Sequence, residues 1–479
     1  MFDTIFQDVK DFLGTSFLEK KKYNSVAPII VDEYNTYRNA GNKKIICNAP
    51  FTNIYFGRQG NVVSCCHNRK HVIGNYPQQT IEEIWNGEKL ADLRNYIKHN
   101  DLNSGCHVCK WDMEQRNFEE VKALHFDSVP VLKKFPSMME FELDNTCNLE
   151  CTMCTGEFSS SIRKNREHKP AILSVYDDAF VNQLIPFIPY LKETRFSGGE
   201  PFLIDIYHKI WEKIVALNPN CLISVQTNGT TLNGRLKEIM ENGNFEIGIS
   251  LDSLQKNTYE NIRKKARFET VMENIEYFAD YCKRKNTTFR ISVCAMRENW
   301  QEIPAYIDFC SKHNAYLQIH TVWFPPESAL WNLDKNALDE IHSKISSFEF
   351  TENGFVSKRN ITHYKNFIAQ VEQWRSKASI KADIVIDINE DVSERREKLL
   401  NKIAEHIMSD AALSLANKEK KKEEILGKAK NVFAKFEDNQ NMLSGFAKMM
   451  EVPVEIIVSV MQIENEERIY EYMVAFVRE

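Results

Sequence analysis

The sequence predicts an α/β protein built around a parallel sheet with crossover helices. Two observations indicate this class. Between about residues 137 and 325, strand-like runs alternate with helical runs, and six such units follow one another in series. Strands in that arrangement need crossover connections, which make them parallel. Because crossovers are right-handed, the sheet is expected to curl into a partial (β/α)6 barrel of the TIM type over residues 130–330.

Each unit has its own strand and most have their own helix. The first strand is "SMMEFELDNT", which mixes alternation with a run of apolar residues and leads into a cysteine-rich loop. The following strands are predicted in "ETRFSGGEP", "CLISVQTNG", "FEIGISLDS", "TFRISVCAM" and "AYLQIHTVW". Helices are predicted in "DIYHKIWEKIVALN", "GRLKEIMENG", a long stretch that ends near residue 285, and "QEIPAYIDFCSKH". Ligand chemistry gathers at the C-terminal ends of such strands, so the loops there are the expected site.

Composition describes an ordinary globular chain. Its 479 residues, 43% hydrophobic and 27% charged, can bury a large core and predict two or three domains. The net charge of −6 is small for this length, so neither nucleic acid nor an anionic membrane is an expected partner. "MFDTIFQDVKDFLG" lacks the regions of a signal peptide, and no run approaches 18 consecutive apolar residues. A cytoplasmic location is expected, where clustered cysteines stay reduced and bind metals or catalyse.

Helical patterns flank the barrel on both sides. Residues 1–40 form an N-terminal helical segment, and a proline-marked junction, "WFPPESALWN", leads into helical periodicity over 335–479. The short "DIVIDI" in that region is a strand or a linker, and "NKEKKKEE" is mixed in sign, as in a solvated helix face. Ile425, Val432 and Phe433 are most simply core. A cap, a partner-binding appendage and a dimerisation unit remain open as roles for this region.

Eight of the twelve cysteines fall between residues 47 and 154. Cys147, Cys151 and Cys154 have the spacing C-x3-C-x2-C, which supplies three thiols where a structural zinc site needs four. Three thiolates on a four-iron cubane leave one iron open to a substrate or cofactor. Zinc and chance clustering remain alternatives on this spacing alone. The isolated cysteines are expected to be buried small hydrophobes: Cys221, Cys282, Cys294 and Cys310.

A second group of cysteines lies in residues 41–125, upstream of the barrel. Its members are Cys47, Cys65, Cys106 and Cys109, with Cys66 as an adjacent alternative to Cys65. "CNAPFTNIYFGRQGNVVSC" is typical of a hairpin that turns at "RQGN", and the segment ending in "GCHVC" is typical of a turn, a helix and a knuckle. Four thiols in two separated parts can close a tetrahedral set, so a zinc ribbon remains open on geometry.

Two resemblances follow from these motifs. "CNLECTMC", "SGGEP", "QTNG" and "ISLDS" stand in order at predicted strand ends, and residues 137 to about 325 resemble the core of the radical S-adenosylmethionine superfamily. Residues 41–125 resemble the twitch or SPASM auxiliary-cluster module, although that family usually carries the module after the barrel. The resemblances imply a 4Fe-4S cluster on the first three cysteines that binds S-adenosylmethionine, and an auxiliary 4Fe-4S cluster on the second group.

The resemblance also implies roles for residues around the cofactor. Gly198, Gly199 and Glu200 would meet the methionine ammonium. Arg263 would bind the methionine carboxylate, with a solvated helix charge as the alternative. Met153 stands where the family usually has an aromatic residue near the adenine. Further residues would lie beside the cofactor or hydrogen-bond to it: Thr227, Asn228, Ser250 and Asp252. No catalytic residue for the attack on substrate is assigned.

These resemblances imply an oxidoreductase that splits S-adenosylmethionine reductively and abstracts hydrogen through a 5′-deoxyadenosyl radical. Its first expected substrate is a side chain of a peptide or protein, and the auxiliary cluster is expected chiefly to accept an electron in the oxidation or cross-linking. Dehydrogenation of a small molecule such as a carbohydrate alcohol is one alternative, and an iron–sulfur scaffold or electron carrier is another. An external one-electron donor, such as a flavodoxin or ferredoxin, is an expected partner. His320, Trp323 and Phe324 could line the substrate cavity, with a satisfied core histidine as the alternative for His320.

Overall fold

One nine-stranded sheet organises the protein. The computed structural model describes residues 23–39, 43, 45–322, 325–382, 392–409 and 415–435, with single positions between 454 and 470. The strands are β1 (Asn53–Phe56), β2 (Asn61–Val63), β3 (Gly74–Asn75), β4 (Met138–Phe141), β5 (Glu193–Phe196), β6 (Leu222–Thr227), β7 (Asn244–Ser250), β8 (Phe289–Ala295) and β9 (Tyr316–Thr321). Their order is β3-β2-β1-β4-β5-β6-β7-β8-β9, and β4 to β9 are parallel. The six predicted barrel strands and their open arrangement are confirmed.

Helices connect and flank these strands. Before the barrel stand α1 (Pro28–Tyr37), α2 (Ala49–Thr52), α3 (Ile81–Trp85), α4 (Glu88–Lys98) and α5 (His107–Glu114). Within it lie α6 (Ser160–Asn165), α7 (Asp178–Leu184), α8 (Asp205–Leu217), α9 (Gly234–Asn242), α10 (Lys256–Ile262), α11 (Phe268–Lys285) and α12 (Tyr306–Lys312). After it come α13 (Lys335–Ser346), α14 (Phe355–Ala382), α15 (Val392–Ser409) and α16 (Leu415–Ala434). The long helical stretch predicted to end near residue 285 is therefore two helices, α10 and α11.

Local sequence sets several helix boundaries. Asn233 caps α9 by accepting a hydrogen bond from the Leu236 N–H through its side chain. The predicted helix "QEIPAYIDFCSKH" begins as a 3-10 helix over Trp300–Ala305, and Pro304 within it has no N–H to donate. α11 ends where Asn286 adopts a left-handed conformation with φ 55°.

The outer face of the sheet is apolar and carries the helices. Trp211 of α8 packs against Phe196 of β5 and Phe245 of β7, with ring centroids 5.3 and 5.8 Å apart. On α11, Val271 and Ile275 are buried one turn apart. Burying side chains of this size stabilises the fold by roughly 1.5–3 kcal/mol each. The helix-covered core therefore lies outside the curved sheet.

The inner face of the sheet is polar. Glu140 and Arg195 are register partners on β4 and β5. Arg195 forms an ion pair of 2.6 Å with Glu193, and Arg290 forms one of 2.6 Å with Glu246. A closed eight-stranded barrel fills this space with branched apolar side chains. Here the interior is instead suited to a polar ligand.

The N-terminal module joins the edge of the barrel sheet. β1 and β2 form the predicted antiparallel hairpin, which turns over residues 58–60. β1 then pairs in parallel with β4, so that Asn53 lies beside Met138. The predicted segments 41–125 and 130–330 thus contribute strands to a single sheet. Because β2 runs against β1, the chain before β1 and the chain after β2 both lie at the N-terminal end of the parallel strands.

The C-terminal helices fall into two groups. α13 and α14 pack on the barrel core, whereas α15 and α16 pack together around a separate apolar cluster. Ile425, Val432 and Phe433 belong to that cluster and are confirmed as core. The "DIVIDI" segment, residues 1–22 and most of the stretch from 436 onward lie outside the described residues. None of the helices in the described ranges has the length and apolarity that crossing a membrane requires.

Candidate functional site

The loop after β4 carries the first cysteine group. It is held against the end of α10, where the Thr152 N–H donates to the Ile262 carbonyl at 2.8 Å. Cys151 is buried, and Cys147 and Cys154 are half-buried. Burial raises the pKa of the Cys151 thiol to about 12 and that of Cys154 to about 11, and repulsion between neighbouring thiolates adds to the effect. Such thiols give up their protons when a metal group binds them.

Arg263 reaches this loop from the break between α10 and α11. Its Nη1 lies 3.9 Å from Cys151 Sγ, and its Nη2 forms a 2.7 Å ion pair with Asp252. Arg263 is 7% exposed and Asp252 is fully buried, so Arg263 is not a solvated helix charge. Burial disfavours the cation, but Asp252 and Cys151 hold the pKa of Arg263 above its usual value. A permanent positive charge therefore stands beside the thiols.

Gly198 and Gly199 form a tight turn against the cysteine loop. Their φ angles are +83° and +49°. A Cβ atom on Gly198 would lie 2.8 Å from the Asp144 carbonyl oxygen, and one on Gly199 would lie 2.2 Å from that of Thr146. Any larger residue would collide with this backbone and strain its own. The close backbone approach predicted for these glycines is thus an approach to the cysteine loop.

Glu200 connects the Gly198–Gly199 turn to the loop after β6 through hydrogen bonds. Its fully buried carboxylate accepts hydrogen bonds from Thr227 Oγ1 and the Asn228 N–H, both at 2.6 Å, and from the Phe202 N–H at 3.1 Å. Burial raises the pKa of Glu200, and these donors oppose that rise. A carboxylate offers about four lone-pair positions, so one remains for a further donor such as an ammonium group. Asn228 also points its Nδ2 at Cys147 Sγ, 4.0 Å away.

Ser250 and Met153 lie in different surroundings. On the inner face, Ser250 Oγ accepts from Gln226 Nε2 at 2.9 Å. Met153 packs onto an apolar cluster of Ile262, Met296 and Val322 at the strand ends. The thioether therefore has the apolar neighbours expected of a side chain that contacts an aromatic base.

Cys294 is a site residue that the sequence interpretation missed. The other isolated cysteines are buried as expected: Cys221, Cys282 and Cys310. Cys294 is only half-buried and packs onto the same apolar cluster as Met153. Its N–H donates to Asp252 Oδ1 at 2.8 Å. The available signal was its alternation with buried Val293 on β8, which places it on the inner face.

The second cysteine group converges on one cavity in the N-terminal module. The four predicted ligands line it, and Cys66 does not: Cys47, Cys65, Cys106 and Cys109. Asn68 lines the same cavity, and its Nδ2 donates to Cys106 Sγ at 3.2 Å. Hydrogen bonds to ligand sulfurs help to set the reduction potential of iron–sulfur clusters. Nothing in the sequence pattern had marked Asn68.

Burial disfavours free thiolates at these four positions, so their thiols would lose their protons only on binding a metal group. It raises the pKa of Cys47 to about 12 and that of Cys109 to about 11. Within the described residues, no three His, Cys, Asp or Glu side chains stand close enough to hold a single metal ion. A four-iron cubane takes one thiolate on each iron, so its ligands stand further apart than those of one zinc ion.

The cavity predicts different outcomes for two adjacent cysteines. Cys65→Ala is expected to lower bound iron and sulfide from about eight to about four of each per chain, because the auxiliary cluster loses a ligand. Cys66→Ala is expected to retain about eight, since its thiol does not line the cavity. Iron and sulfide assays after anaerobic reconstitution measure both. Loss of four iron atoms from the Cys66→Ala protein instead would reverse the ligand assignment.

A charged network joins the module to the cysteine loop. Glu142, the residue after β4, accepts from Tyr55 Oη at 2.5 Å and pairs with Arg69 at 3.0 Å and Arg58 at 3.2 Å. Burial alone would raise the pKa of Glu142, but Arg69 and Arg58 hold it below its usual value. All three partners come from the module and are more than 70 residues away in sequence. The pairing therefore exists only in the folded chain.

The two cysteine groups lie at opposite ends of the barrel strands. Cys47 and Cys65 pack with Met138, the first residue of β4. Cys147 lies in the loop that follows the last residue of that strand, Phe141. The four-residue strand alone spans roughly 10 Å, at about 3.3 Å per residue. The module's cavity therefore stands at the N-terminal end of the strands and the first cysteine group at the C-terminal end.

His320 lies on the inner face of β9, in register with Cys294 on β8. Its side chain is exposed to water. Burial by the surrounding protein lowers the pKa of His320, and Asp252 acts in the opposite direction. Because its side chain is exposed, His320 is not a core histidine. Trp323 and Phe324 lie outside the described residues.

Two family models match the chain at these sites. The model of the radical SAM superfamily matches residues 142–310, and that of an iron–sulfur cluster-binding domain, SPASM, matches residues 47–110. The first range holds Cys147, Cys151 and Cys154, and the second holds the cysteines of the module's cavity. Residues 142–310 are therefore similar to the radical SAM superfamily, and residues 47–110 are similar to the SPASM domain. In this chain the SPASM match lies ahead of the radical SAM match.

Curated relatives and one solved structure are similar to parts of this chain. A probable GTP 3′,8-cyclase of Methanococcus maripaludis is 27% identical over 206 residues, 43% of this chain and 65% of the relative. A cysteine-type anaerobic sulfatase-maturating enzyme of Clostridium novyi is 28% identical over 242 residues, 47% of this chain and 63% of the relative. Streptococcus suis SuiB bound to S-adenosylmethionine is 13% identical, covers 60% of this chain and 67% of its own, and has a TM-score of 0.33. The chain spans 54% to 65% of the length of the first three curated relatives.

Proposed function

We propose that this enzyme cleaves S-adenosylmethionine reductively and uses the resulting 5′-deoxyadenosyl radical to take a hydrogen atom from a peptide or protein side chain. One observation carries the proposal: three thiols, the Glu200 carboxylate and the Arg263–Asp252 ion pair meet at the C-terminal ends of the strands. A scaffold or electron carrier has no need for an ammonium acceptor and a buried guanidinium beside its cluster. The arrangement supports an enzyme with a cofactor pocket over that alternative.

The residues present fit the groups that this chemistry needs. In the described part of the chain, Thr155 Oγ1, Tyr259 Oη and Arg263 Nε are buried without a hydrogen-bond partner, which leaves polar positions near Cys151 for a ligand. When bound, a 4Fe-4S cluster and S-adenosylmethionine supply one-electron cleavage of a carbon–sulfur bond and a carbon radical. The chain's residues would hold, orient and shield these groups from water.

Individual roles follow from the contacts. Cys147, Cys151 and Cys154 would ligate the cluster. Glu200 would accept from the methionine ammonium through its remaining lone pair, and Arg263 would donate to the methionine carboxylate. The remaining residues would shape the pocket around the cofactor: Met153, Gly198, Gly199, Thr227, Asn228, Ser250 and Asp252.

The module's four thiols would ligate an auxiliary 4Fe-4S cluster. Two uses are open to it: accepting an electron from the substrate radical, or relaying electrons from an external donor such as a flavodoxin or ferredoxin. The cavity lies at the N-terminal end of β4, away from the loop where the radical would form. This position favours the relay over the electron acceptance expected from sequence. A reducing cytoplasm would keep these cysteines available to iron.

Two substrate classes remain, and the relatives point to both. Similarity to a sulfatase-maturating enzyme supports a protein substrate. Similarity to GTP 3′,8-cyclases makes a small molecule the second candidate. We favour the peptide or protein because the SPASM domain is found in enzymes that modify such substrates, as the sequence resemblance implies.

Anaerobic reconstitution tests the cofactor chemistry. The protein is expected to bind about eight iron and eight sulfide per chain. Addition of S-adenosylmethionine and dithionite is then expected to release 5′-deoxyadenosine and methionine, which chromatography measures. Full iron loading without 5′-deoxyadenosine would leave only the scaffold alternative. Four iron atoms with one zinc would contradict the auxiliary cluster.

Deuterium transfer tests the substrate class. Extracts of the source cells grown in D2O are separated into a macromolecular fraction and a small-molecule fraction, and each is incubated with the reconstituted enzyme. The macromolecular fraction is expected to place deuterium in 5′-deoxyadenosine, which mass spectrometry detects. Abortive cleavage takes its hydrogen from the unlabelled solvent or reductant. Deuterium in 5′-deoxyadenosine therefore shows that the hydrogen atom came from a substrate in the extract. Deuterium from the small-molecule fraction alone would support the second candidate.

A further inference from the structure

Helix α14 runs alongside β9, the last strand of the open barrel. Near its start, the Arg359 guanidinium lies 4.4 Å from the ring centroid of Tyr316. Eleven residues later, Gln370 Oε1 accepts from Thr321 Oγ1 at 2.9 Å. Eleven helical steps rise roughly 16 Å, and the five strand steps from Tyr316 to Thr321 also rise roughly 16 Å. The helix therefore follows the strand along its whole length.

The same helix also reaches the N-terminal module. Asn366 Nδ2 donates to Glu119 Oε2 at 2.9 Å, a contact between residues 247 positions apart. Arg359, His363, Asn366 and Gln370 are spaced by four, three and four residues and share one face of α14. Since β9 is one edge of the barrel sheet and the module adjoins the other, α14 spans the gap between them. The C-terminal region thus contacts both sides of the opening that six strands leave.

This face of α14 places His363 near His320 on the inner face of β9. Burial is the largest cause that lowers the pKa of His363, and the charges of Arg359 and His320 lower it further. Charged groups on the rest of the inner face have partners, including Arg290 with Glu246 and Arg263 with Asp252. Neither imidazole has a hydrogen-bond partner in the described part of the chain.

The charge around the imidazole pair is positive. Arg359 lies on the same helix face as His363. Asp252 is the carboxylate that acts on His320, and it is already neutralised by Arg263. The Glu119 carboxylate accepts a hydrogen bond from Asn366, which lies on the same face of α14 as His363. Two N–H donors in a positive, water-accessible setting suit an anionic acceptor.

We propose that α14 completes the substrate cavity and that His320 and His363 bind a carboxylate of the substrate. On the proposed peptide function, on which this inference rests, the carboxylate is an aspartate or glutamate side chain or a C-terminus close to the residue that is modified. The C-terminal helical region then has a role in substrate recognition. His320 and His363 are binding residues in this scheme and take no part in cleaving S-adenosylmethionine.

A randomised peptide library tests the inference on the full-length holoenzyme. Peptides displayed on their own mRNA are selected with S-adenosylmethionine present, and acidic residues or a C-terminal carboxylate are expected to be enriched roughly tenfold over the input, as a charge-assisted hydrogen bond predicts. The enrichment is expected to vanish for the His320→Gln/His363→Gln protein. His342→Gln is the matched control, since His342 pairs with Glu372 on the opposite side of α14. Iron content and thermal unfolding show whether each variant is folded.

The outcomes separate this inference from the proposed function. Enrichment without acidic groups, or acidic enrichment that survives the double substitution, would overturn the carboxylate site. If no peptide is enriched over a no-protein control, the peptide function fails. Sodium glutarate then decides the inference: it is expected to shift the imidazole NMR signals of His320 and His363, assigned through the single variants. Unshifted signals would overturn it.

Discussion

Cys151→Ala is expected to abolish formation of 5′-deoxyadenosine and to halve the iron content. Two remaining thiols cannot hold the cubane of the first cysteine group, so bound iron is expected to fall from about eight to about four per chain. The auxiliary cluster is expected to survive, because its cavity lies at the other end of the strands. Iron analysis and chromatography of the reaction products measure both effects on one preparation.

The matched control is Cys310→Ala. Cys310 is fully buried in the core and belongs to neither cysteine group. This variant is expected to retain about eight iron atoms and full release of 5′-deoxyadenosine. If Cys151→Ala still produced 5′-deoxyadenosine at the wild-type rate, the assignment of the first cysteine group would be wrong.

Arg263→Gln is expected to impair both stability and cofactor binding. It leaves the Asp252 carboxylate, which is fully buried, without its cation. Breaking a buried pair in this way costs about 3–5 kcal/mol of the free energy of unfolding. The variant also loses the donor proposed for the methionine carboxylate, so S-adenosylmethionine is expected to bind at least tenfold more weakly, as loss of one charged hydrogen bond predicts. Urea unfolding and equilibrium binding measure the two losses separately.

A double variant distinguishes the structural part from the cofactor part. Arg263→Gln/Asp252→Asn removes both charges and keeps an acceptor for the Cys294 N–H. We expect it to recover most of the lost stability, because no unpaired charge remains buried. Binding of S-adenosylmethionine is expected to stay weak. Recovery of binding together with stability would show that Arg263 acts only through the fold.

The four motifs expected around the first cysteine group lie at one edge of the sheet because of how parallel sheets are built. "CNLECTMC", "SGGEP", "QTNG" and "ISLDS" each follow a strand, and the C-terminal ends of parallel strands meet at one edge. Residues 50 to 100 positions apart in the chain are therefore expected to lie close together, and the order of the strands is enough to predict this. The break between α10 and α11, where Arg263 lies outside both helices, was not predicted. The helical sequence pattern continues on both sides of that break.

Cysteine spacing grouped the four thiols that line the module's cavity, but it did not predict where in the fold that cavity lies. Chain order put the module ahead of the barrel, and only the pairing of β1 with β4 sets its cavity at the N-terminal end of the strands. Asn68 and Glu142 could not be identified from sequence. Single polar residues carry no periodic signal, and their partners become neighbours only in the folded chain.

By itself, the sequence determined the strand and helix order and the two cysteine groups, because these depend on local periodicity and spacing. Its motifs also carried the resemblance to radical S-adenosylmethionine enzymes. Tertiary structure alone decided that Arg263 pairs with Asp252, that Cys65 rather than Cys66 lines the module's cavity, and that α14 contacts both β9 and the module. The physical reason is that burial and charge pairing depend on distances between residues remote in the chain. No local pattern encodes those distances.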